Sequence, residues 1–95
     1  MPNKSANELR DEISQVYQDM FGNTPLSVRL ADIQEEADEL VDYKDEDNLI
    51  EELSDLIASC FALAAEKGLS IDDLINMNVA KMALRKATKH YETHT

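Results

Sequence analysis

The chain has 95 residues, of which 43% are hydrophobic and 31% are charged, and this composition predicts one small folded domain over residues 1–95. Its net charge of −11 excludes general binding to nucleic-acid polymers, because an acidic protein is repelled by a phosphate backbone. Cys60 is the only cysteine and no apolar run is long enough to cross a bilayer, so we expect a cytoplasmic protein without disulfides or membrane spans.

Periodic apolar residues predict two helices in the first half of the chain. Ser5 and Glu8 form a capping box, and apolar residues then recur at helical spacing, which predicts a first helix over residues 6–21. The sequence Gly22–Pro25 interrupts this helix, because glycine and proline favour turns. The next apolar stripe predicts a second helix over residues 25–43.

Two further helices are predicted in the second half of the chain. Asp47 is the expected N-cap of the third helix, which should end at Gly68. Ser70 and Asp73 are expected to cap the fourth helix, which should extend to about Lys89. Since no segment alternates with period two over the length of a strand, the predicted class is all-α, a four-helix bundle.

Each of the two middle helices carries a pair of carboxylates three residues apart. Glu36 and Glu39 on the second helix match Glu52 and Asp55 on the third, and the flanking apolar residues match in character. At 100° per residue, each pair borders the apolar stripe of its helix at a similar angle. Packing of the two helices would bring the four carboxylates together, and a hard divalent cation would remove their repulsion. Solvated acidic helix faces explain the same pattern without a metal.

The fourth helix carries polar and basic residues in line with its apolar residues. Asn78, Lys81 and Arg85 continue the stripe that begins with Ile71 and Leu74. Two explanations stay open. The bases can pair with the acids of the second and third helices, or they can bind phosphate groups beside a metal site.

The acidic and basic motifs follow one another in a fixed order. Glu36-Ala-Asp-Glu39 precedes Glu52-Leu-Ser-Asp55, then Ala64-Ala-Glu-Lys-Gly68 leads into the last helix, which contains Lys81-Met-Ala-Leu-Arg85. This ordered set resembles the MazG-like family of all-α nucleoside triphosphate pyrophosphohydrolases. The resemblance covers roughly residues 26–85.

The resemblance implies an assembly, a reaction and a set of functional residues. It implies a MazG-like helical bundle assembled as a homodimer or a homotetramer, with sites between helices of different subunits. It also implies Mg²⁺-dependent hydrolysis of (deoxy)nucleoside triphosphates to a monophosphate and pyrophosphate, which removes damaged or surplus nucleotides; Mn²⁺ is a possible substitute. The implied residues are Glu36, Glu39, Glu52 and Asp55 for the metal, Glu36 or Glu39 for catalysis, and Lys81, Arg85 and Asn78 for the substrate.

Other candidate residues carry weaker signals. Phe21, Tyr43 and Phe61 are the aromatic candidates for stacking on a base, although plain packing or an exposed ring is the favoured explanation of each. His90 and His94 have the spacing of metal ligands on a helix, but no Glu-x-x-His motif accompanies them, so we do not expect a metal there.

A non-catalytic function is the alternative. An acidic helical adaptor, whose apolar stripes bind partner helices, accounts for the charge and for the amphipathic helices. It does not account for two carboxylate pairs in the same position relative to their stripes. Stabilisation by Mg²⁺ would distinguish the two functions, because only a folded metal site gains stability from the ion.

Overall fold

The computed structural model describes residues 3–88, and within this range four helices follow one another without any strand. The all-α prediction is therefore confirmed. The four helices are α1 (Ala6–Phe21), α2 (Leu26–Val41), α3 (Glu46–Glu66) and α4 (Ile71–Thr88). Lys89, His90 and His94 lie outside the described residues. None of the helices in residues 3–88 has the length and apolar character needed to cross a bilayer.

The caps of α1 and α3 follow from side chains that accept backbone hydrogen bonds. The capping box at α1 is confirmed: Ser5 accepts from the N–H of Glu8, and Glu8 accepts from the N–H of Ser5. The prediction that Asp47 caps α3 is wrong. Asp45 has the extended backbone of an N-cap, and its Oδ1 accepts from the N–H of Asn48 at 2.8 Å. Asp47 lies instead in the first turn, where its charge favours the helix dipole.

The turns between helices are made by residues that cannot continue a helix. Gly22 ends α1 with φ of 68°, a left-handed conformation that glycine adopts without strain. Pro25 precedes α2 with an extended ψ of 149°, so this helix begins at residue 26 and not at residue 25. Gly68, with φ of 66°, follows the end of α3 as predicted. Ser70 accepts from the N–H of Asp73 at 3.3 Å, so the predicted cap of α4 is confirmed.

Helix α3 is the centre of the fold, since both α1 and α2 pack against it. Helix α2 runs antiparallel to α3, because Arg29 near its start contacts Glu66 at the far end of α3. Helix α1 meets α3 where the hydroxyls of Tyr17 and Ser59 are 3.4 Å apart. The packing of α2 on α3 places the predicted carboxylate pairs along one interface.

Helix α4 is fastened to the rest of the molecule mainly at its first turn. Asn7 on α1 accepts from the N–H of Ile71 at 2.8 Å, and Arg10 donates to the carbonyl of Leu69 at 2.7 Å. Beyond this turn, the apolar side chains of α4 are at least 48% exposed. They are Ile75, Met77, Val79, Met82 and Leu84.

The core of a single chain is small. The only buried apolar residues in the described range are Ala62, Ala64 and Ile71. Large apolar side chains of α3, such as Leu53 and Ile57, are 45% and 48% exposed. The radius of gyration of 15.8 Å exceeds the roughly 12 Å expected of a compact chain of this length. The predicted stripes exist, but the helices of one chain do not cover them.

Candidate metal-binding site

Three carboxylates meet where α2 packs against α3. Glu36 and Glu39 on α2 and Glu52 on α3 each offer one oxygen, and these oxygens lie within 4.8 Å of one another. Oxygens that bind one Mg²⁺ at about 2.1 Å in an octahedron are roughly 3–4 Å apart. A small adjustment of these side chains would therefore bring all three onto one cation.

Asp55 lies beside this group rather than in it. A second set of oxygens within 4.8 Å of one another comes from Glu51, Glu52 and Asp55, all on α3. Glu52 belongs to both groups and connects them. Asp55 is exposed, but its negative charge raises the pKa of Glu36. Asp55 therefore lies close enough to act on the first group.

Two oxygens of the cluster are buried without a hydrogen-bond partner, namely Glu36 Oε2 and Glu52 Oε2. Buried polar atoms in proteins almost always have a partner. Leaving one without a partner costs about 1–3 kcal/mol. Both are hard oxygen atoms in a carboxylate cluster, so the residues present fit a hard divalent cation.

The raised pKa values of two carboxylates in the cluster also fit a cation site. Burial raises the pKa of Glu36, and the negative charges of Asp55 and Glu52 raise it further. Contact with the Glu52 carboxylate raises the pKa of Glu39, to which burial and the charge of Glu36 add. Both groups therefore hold a proton more tightly than a solvated glutamate does. A bound cation would reverse this preference by favouring the ionised forms.

Asn48 orients one of these carboxylates and was not found from the sequence. Its Oδ1 accepts from the N–H of Lys44 at 2.9 Å, and its Nδ2 donates to Glu52 Oε1 at 3.3 Å. The second contact leaves Glu52 Oε2 as the oxygen without a partner. The signal in the sequence is the spacing of four residues between Asn48 and Glu52, which places both on one helix face.

We expect Asn48→Ala to weaken Mg²⁺ binding by about 10-fold, because residues that orient metal ligands typically contribute 10- to 100-fold in affinity. Gln34→Ala is the matched control. Gln34 also donates to a carboxylate four residues further along, that of Asp38, but neither residue belongs to the cluster. Calorimetric titration with Mg²⁺ measures both variants. Equal affinities in the two variants would show that Asn48 does not orient a metal ligand.

Comparison with known protein families shows which family the chain belongs to. The family model of the MazG nucleotide pyrophosphohydrolase domain matches residues 24–90, which is more than half of the chain. The chain belongs to this MazG family. The resemblance in the sequence is thereby confirmed, and the match extends over α2, α3 and α4. No curated protein and no solved structure was found to match the chain.

Within residues 3–88, the basic residues of α4 form no ion pair with a carboxylate. Asn78, Lys81 and Arg85 are exposed on α4, whose packing partner is α1. Among residues 3–88, no ion pair joins Lys81 or Arg85 to an acid. The charges that shift the pKa of Glu36 are all acidic. Within the described part of the chain, pairing of these bases with acids is therefore not observed.

A cleft of about 540 Å³ opens beside the carboxylates of the MazG domain. Tyr17 and Phe21 from the end of α1 line one side, and Arg29 and Glu36 from α2 line the other. Arg29 is only 2% exposed, and its guanidinium lies 5.0 Å from the centre of the Tyr17 ring. Its Nε and a terminal nitrogen lie 3.1 and 3.0 Å from Glu66 Oε1.

Proposed function

We propose that this protein is a Mg²⁺-dependent pyrophosphohydrolase that converts (deoxy)nucleoside triphosphates to monophosphates and pyrophosphate, as part of nucleotide-pool house-cleaning in the cytoplasm. The observation that carries the proposal is the convergence of Glu36, Glu39 and Glu52, with two buried oxygens that lack partners. Membership of the MazG nucleotide pyrophosphohydrolase family supports the class of reaction. The all-oxygen donor set supports Mg²⁺, with Mn²⁺ as a substitute.

The carboxylates divide into two roles in this proposal. Glu36, Glu39, Glu52 and Asp55 hold the cation. A bound cation neutralises triphosphate charge and lowers the pKa of a bound water. Glu36 or Glu39 accepts the proton of the attacking water.

We also propose that a second copy of the chain completes the site, in a homodimer or a homotetramer. The apolar side chains of α4 are exposed, and the core of one chain is small. Covering this helix with another copy would remove apolar surface from water. The bases of α4 are complementary in charge to the acidic α2 and α3. A neighbouring subunit would thus bring Lys81, Arg85 and Asn78 to the triphosphate.

A mixture of two inactive variants tests this shared site. We expect Lys81→Ala to lower kcat/KM by about 10- to 1,000-fold, because a cation that stabilises phosphate oxygens in the transition state is lost. Its Mg²⁺ affinity should change little, since Lys81 forms no ion pair with a carboxylate within residues 3–88. Glu36→Gln should lose both hydrolysis and Mg²⁺ binding.

Refolding Lys81→Ala and Glu36→Gln together should restore about a quarter of wild-type activity in a dimer, because each mixed dimer keeps one intact site. Each variant refolded alone is the control. A mixture no more active than its components would show that acids and bases act within one chain.

Thermal unfolding separates the enzyme from the adaptor. We expect Mg²⁺ at 100 times its Kd to stabilise the wild type by about 2.7 kcal/mol, because the ion binds only the folded site. NaCl at equal ionic strength controls for screening of the net charge of −11. Glu36→Gln controls for unspecific binding. Equal effects of Mg²⁺ on the wild type and this variant would favour the adaptor.

A further inference from the structure

We propose that the cleft lined by Tyr17, Phe21, Asn23, Arg29, Asp32 and Glu36, here called the Phe21 cleft, binds the base of the nucleotide, with Phe21 as its stacking surface. The proposal rests on the proposed function, because the triphosphate of the same molecule would be held at the carboxylates. Neither the family match nor the carboxylate cluster assigns a place for the base.

The Phe21 cleft and the carboxylate cluster form one continuous site. Glu36 lines the cleft and also belongs to the group with Glu39 and Glu52. A ligand bound at these carboxylates therefore has the cleft directly beside it. The cleft volume of about 540 Å³ lies within the range of pockets that bind small molecules.

The ring of Phe21 is available to a planar ligand. Phe21 is 61% exposed, although a residue of this kind is normally buried. Its ring meets Tyr17 edge to face, with the ring centres 5.9 Å apart. Tyr17 is itself fixed, because its hydroxyl lies 3.4 Å from that of buried Ser59 and Arg29 lies over its ring. Phe21 thus rests on a rigid support and presents its remaining surface to the cleft.

The charge of the cleft selects the base over the phosphates. Asp32 and Glu35 line it, both are acidic, and neither belongs to the carboxylate group that would hold the cation. The positive charge of Arg29 is already balanced by Glu66 at 3.0 Å. A phosphate entering the cleft would be repelled, whereas a neutral base would not.

Polar groups at the cleft can bind the edge of a base. Asn23 Oδ1 accepts from Gln18 at 3.1 Å, which leaves the N–H groups of the Asn23 amide for a ligand. Arg29 holds a terminal nitrogen 3.8 Å from Asp32, too far for a hydrogen bond. A stacking ring with a few polar groups beside it is the usual arrangement of a base-binding site.

A single tryptophan placed at the cleft tests the proposal directly. The chain has no Trp, so Phe21→Trp introduces one fluorophore at the proposed stacking surface. Met20→Trp is the matched control, since Met20 is 65% exposed on the same helix but does not line the cleft. The probes are deoxynucleosides and, with Mg²⁺, deoxynucleoside monophosphates; deoxyribose 5-phosphate is the probe without a base.

We expect saturable quenching of the Phe21→Trp fluorescence by the probes that carry a base, and no such quenching in Met20→Trp. Quenching that is equal in the two variants, or equal with deoxyribose 5-phosphate, would overturn the proposal. A partner side chain filling the cleft would prevent quenching by any probe, and this outcome would overturn it as well.

Kinetics give a second readout that does not depend on fluorescence. We expect Phe21→Ala to raise the KM for the triphosphate by about 5- to 150-fold, the range of one lost stacking contact. Mg²⁺ affinity should stay within error, Phe21→Tyr should restore KM, and Met20→Ala should match the wild type. An unchanged KM in Phe21→Ala would contradict the proposal.

Different results would contradict the proposed reaction and the proposed base site. If deoxynucleosides quench Phe21→Trp but no triphosphate is hydrolysed, then the cleft binds bases and the proposed reaction is wrong. If triphosphates are hydrolysed while Phe21→Ala keeps its KM, then the reaction stands and the base lies elsewhere.

Discussion

Glu52→Gln is expected to abolish Mg²⁺ binding and to lower pyrophosphate release by at least about 100-fold, because Glu52 is the carboxylate shared by both groups of candidate ligands. The metal-free protein should be as stable as the wild type, or more stable by up to about 1 kcal/mol. The reason is that the charge of Glu52 raises the pKa of Glu36, so its removal relieves repulsion. Asp55→Asn should act in the same direction but less strongly, since Asp55 is exposed and lies only in the second group.

The control for Glu52→Gln is Asp38→Asn. Asp38 is exposed and lies between Glu36 and Glu39 in the sequence, but it belongs to neither carboxylate group. It should keep normal Mg²⁺ affinity and turnover. Urea unfolding of each metal-free variant measures stability, and calorimetry measures the metal. A large loss of metal-free stability in Glu52→Gln would mean that this carboxylate is a structural partner, and the metal site would have to be placed elsewhere.

Glu66→Gln is expected to destabilise the protein by about 2–4 kcal/mol, because it leaves the buried guanidinium of Arg29 without its carboxylate partner. The loss of stability should be smaller than the largest losses seen when a buried ion pair is broken. The reason is that the carboxylate of Asp32 stays 3.8 Å from Arg29 and still offsets part of its charge. Lys4 and Glu12 form an exposed pair, so Glu12→Gln should cost less than about 1 kcal/mol and serves as the control.

Urea unfolding at one fixed protein concentration compares Glu66→Gln with Glu12→Gln, because the stability of an oligomer depends on concentration. The expected result is a lower midpoint for Glu66→Gln with an unchanged slope. If both variants lose less than about 1 kcal/mol, Arg29 is not held by Glu66. In that case the rigid support of the Phe21 cleft would also be in doubt.

The helices could be predicted nearly residue by residue because their signals are local. Ser5 with Glu8, Gly22 and Gly68 act within one turn of the chain, and each does so in the structure. The one wrong cap, that of α3, also has a local cause. Asp45 and Asp47 both qualify as caps by residue type, and only the extended backbone at Asp45 decides between them.

The site was less predictable because it depends on how helices lie relative to one another. Helical angles place Glu36, Glu39 and Glu52 beside their stripes, but they do not give the axial offset that leaves Asp55 in a second group. The same angles place Lys81 in line with an apolar stripe, but they cannot show that this stripe is exposed.

Arg29 shows a further limit of the sequence. Its partners are Tyr17 on α1 and Glu66 at the end of α3, both distant in the chain. A lone arginine near an apolar stripe gives no sign of either contact. Only the packing of α1 and α2 on α3 brings the three side chains together, and the cleft beside the carboxylates follows from that packing.

Product analysis in H₂¹⁸O tests the central claim most directly. The purified protein is incubated with single deoxynucleoside triphosphates and Mg²⁺. The phosphate products are separated, and their masses are measured by mass spectrometry. We predict equal amounts of monophosphate and pyrophosphate from at least one nucleotide, with ¹⁸O in the monophosphate, because water attacks the α-phosphorus. EDTA and Glu52→Gln should remove the activity. Orthophosphate with a diphosphate product, or no turnover of any canonical or modified nucleotide, would contradict the claim.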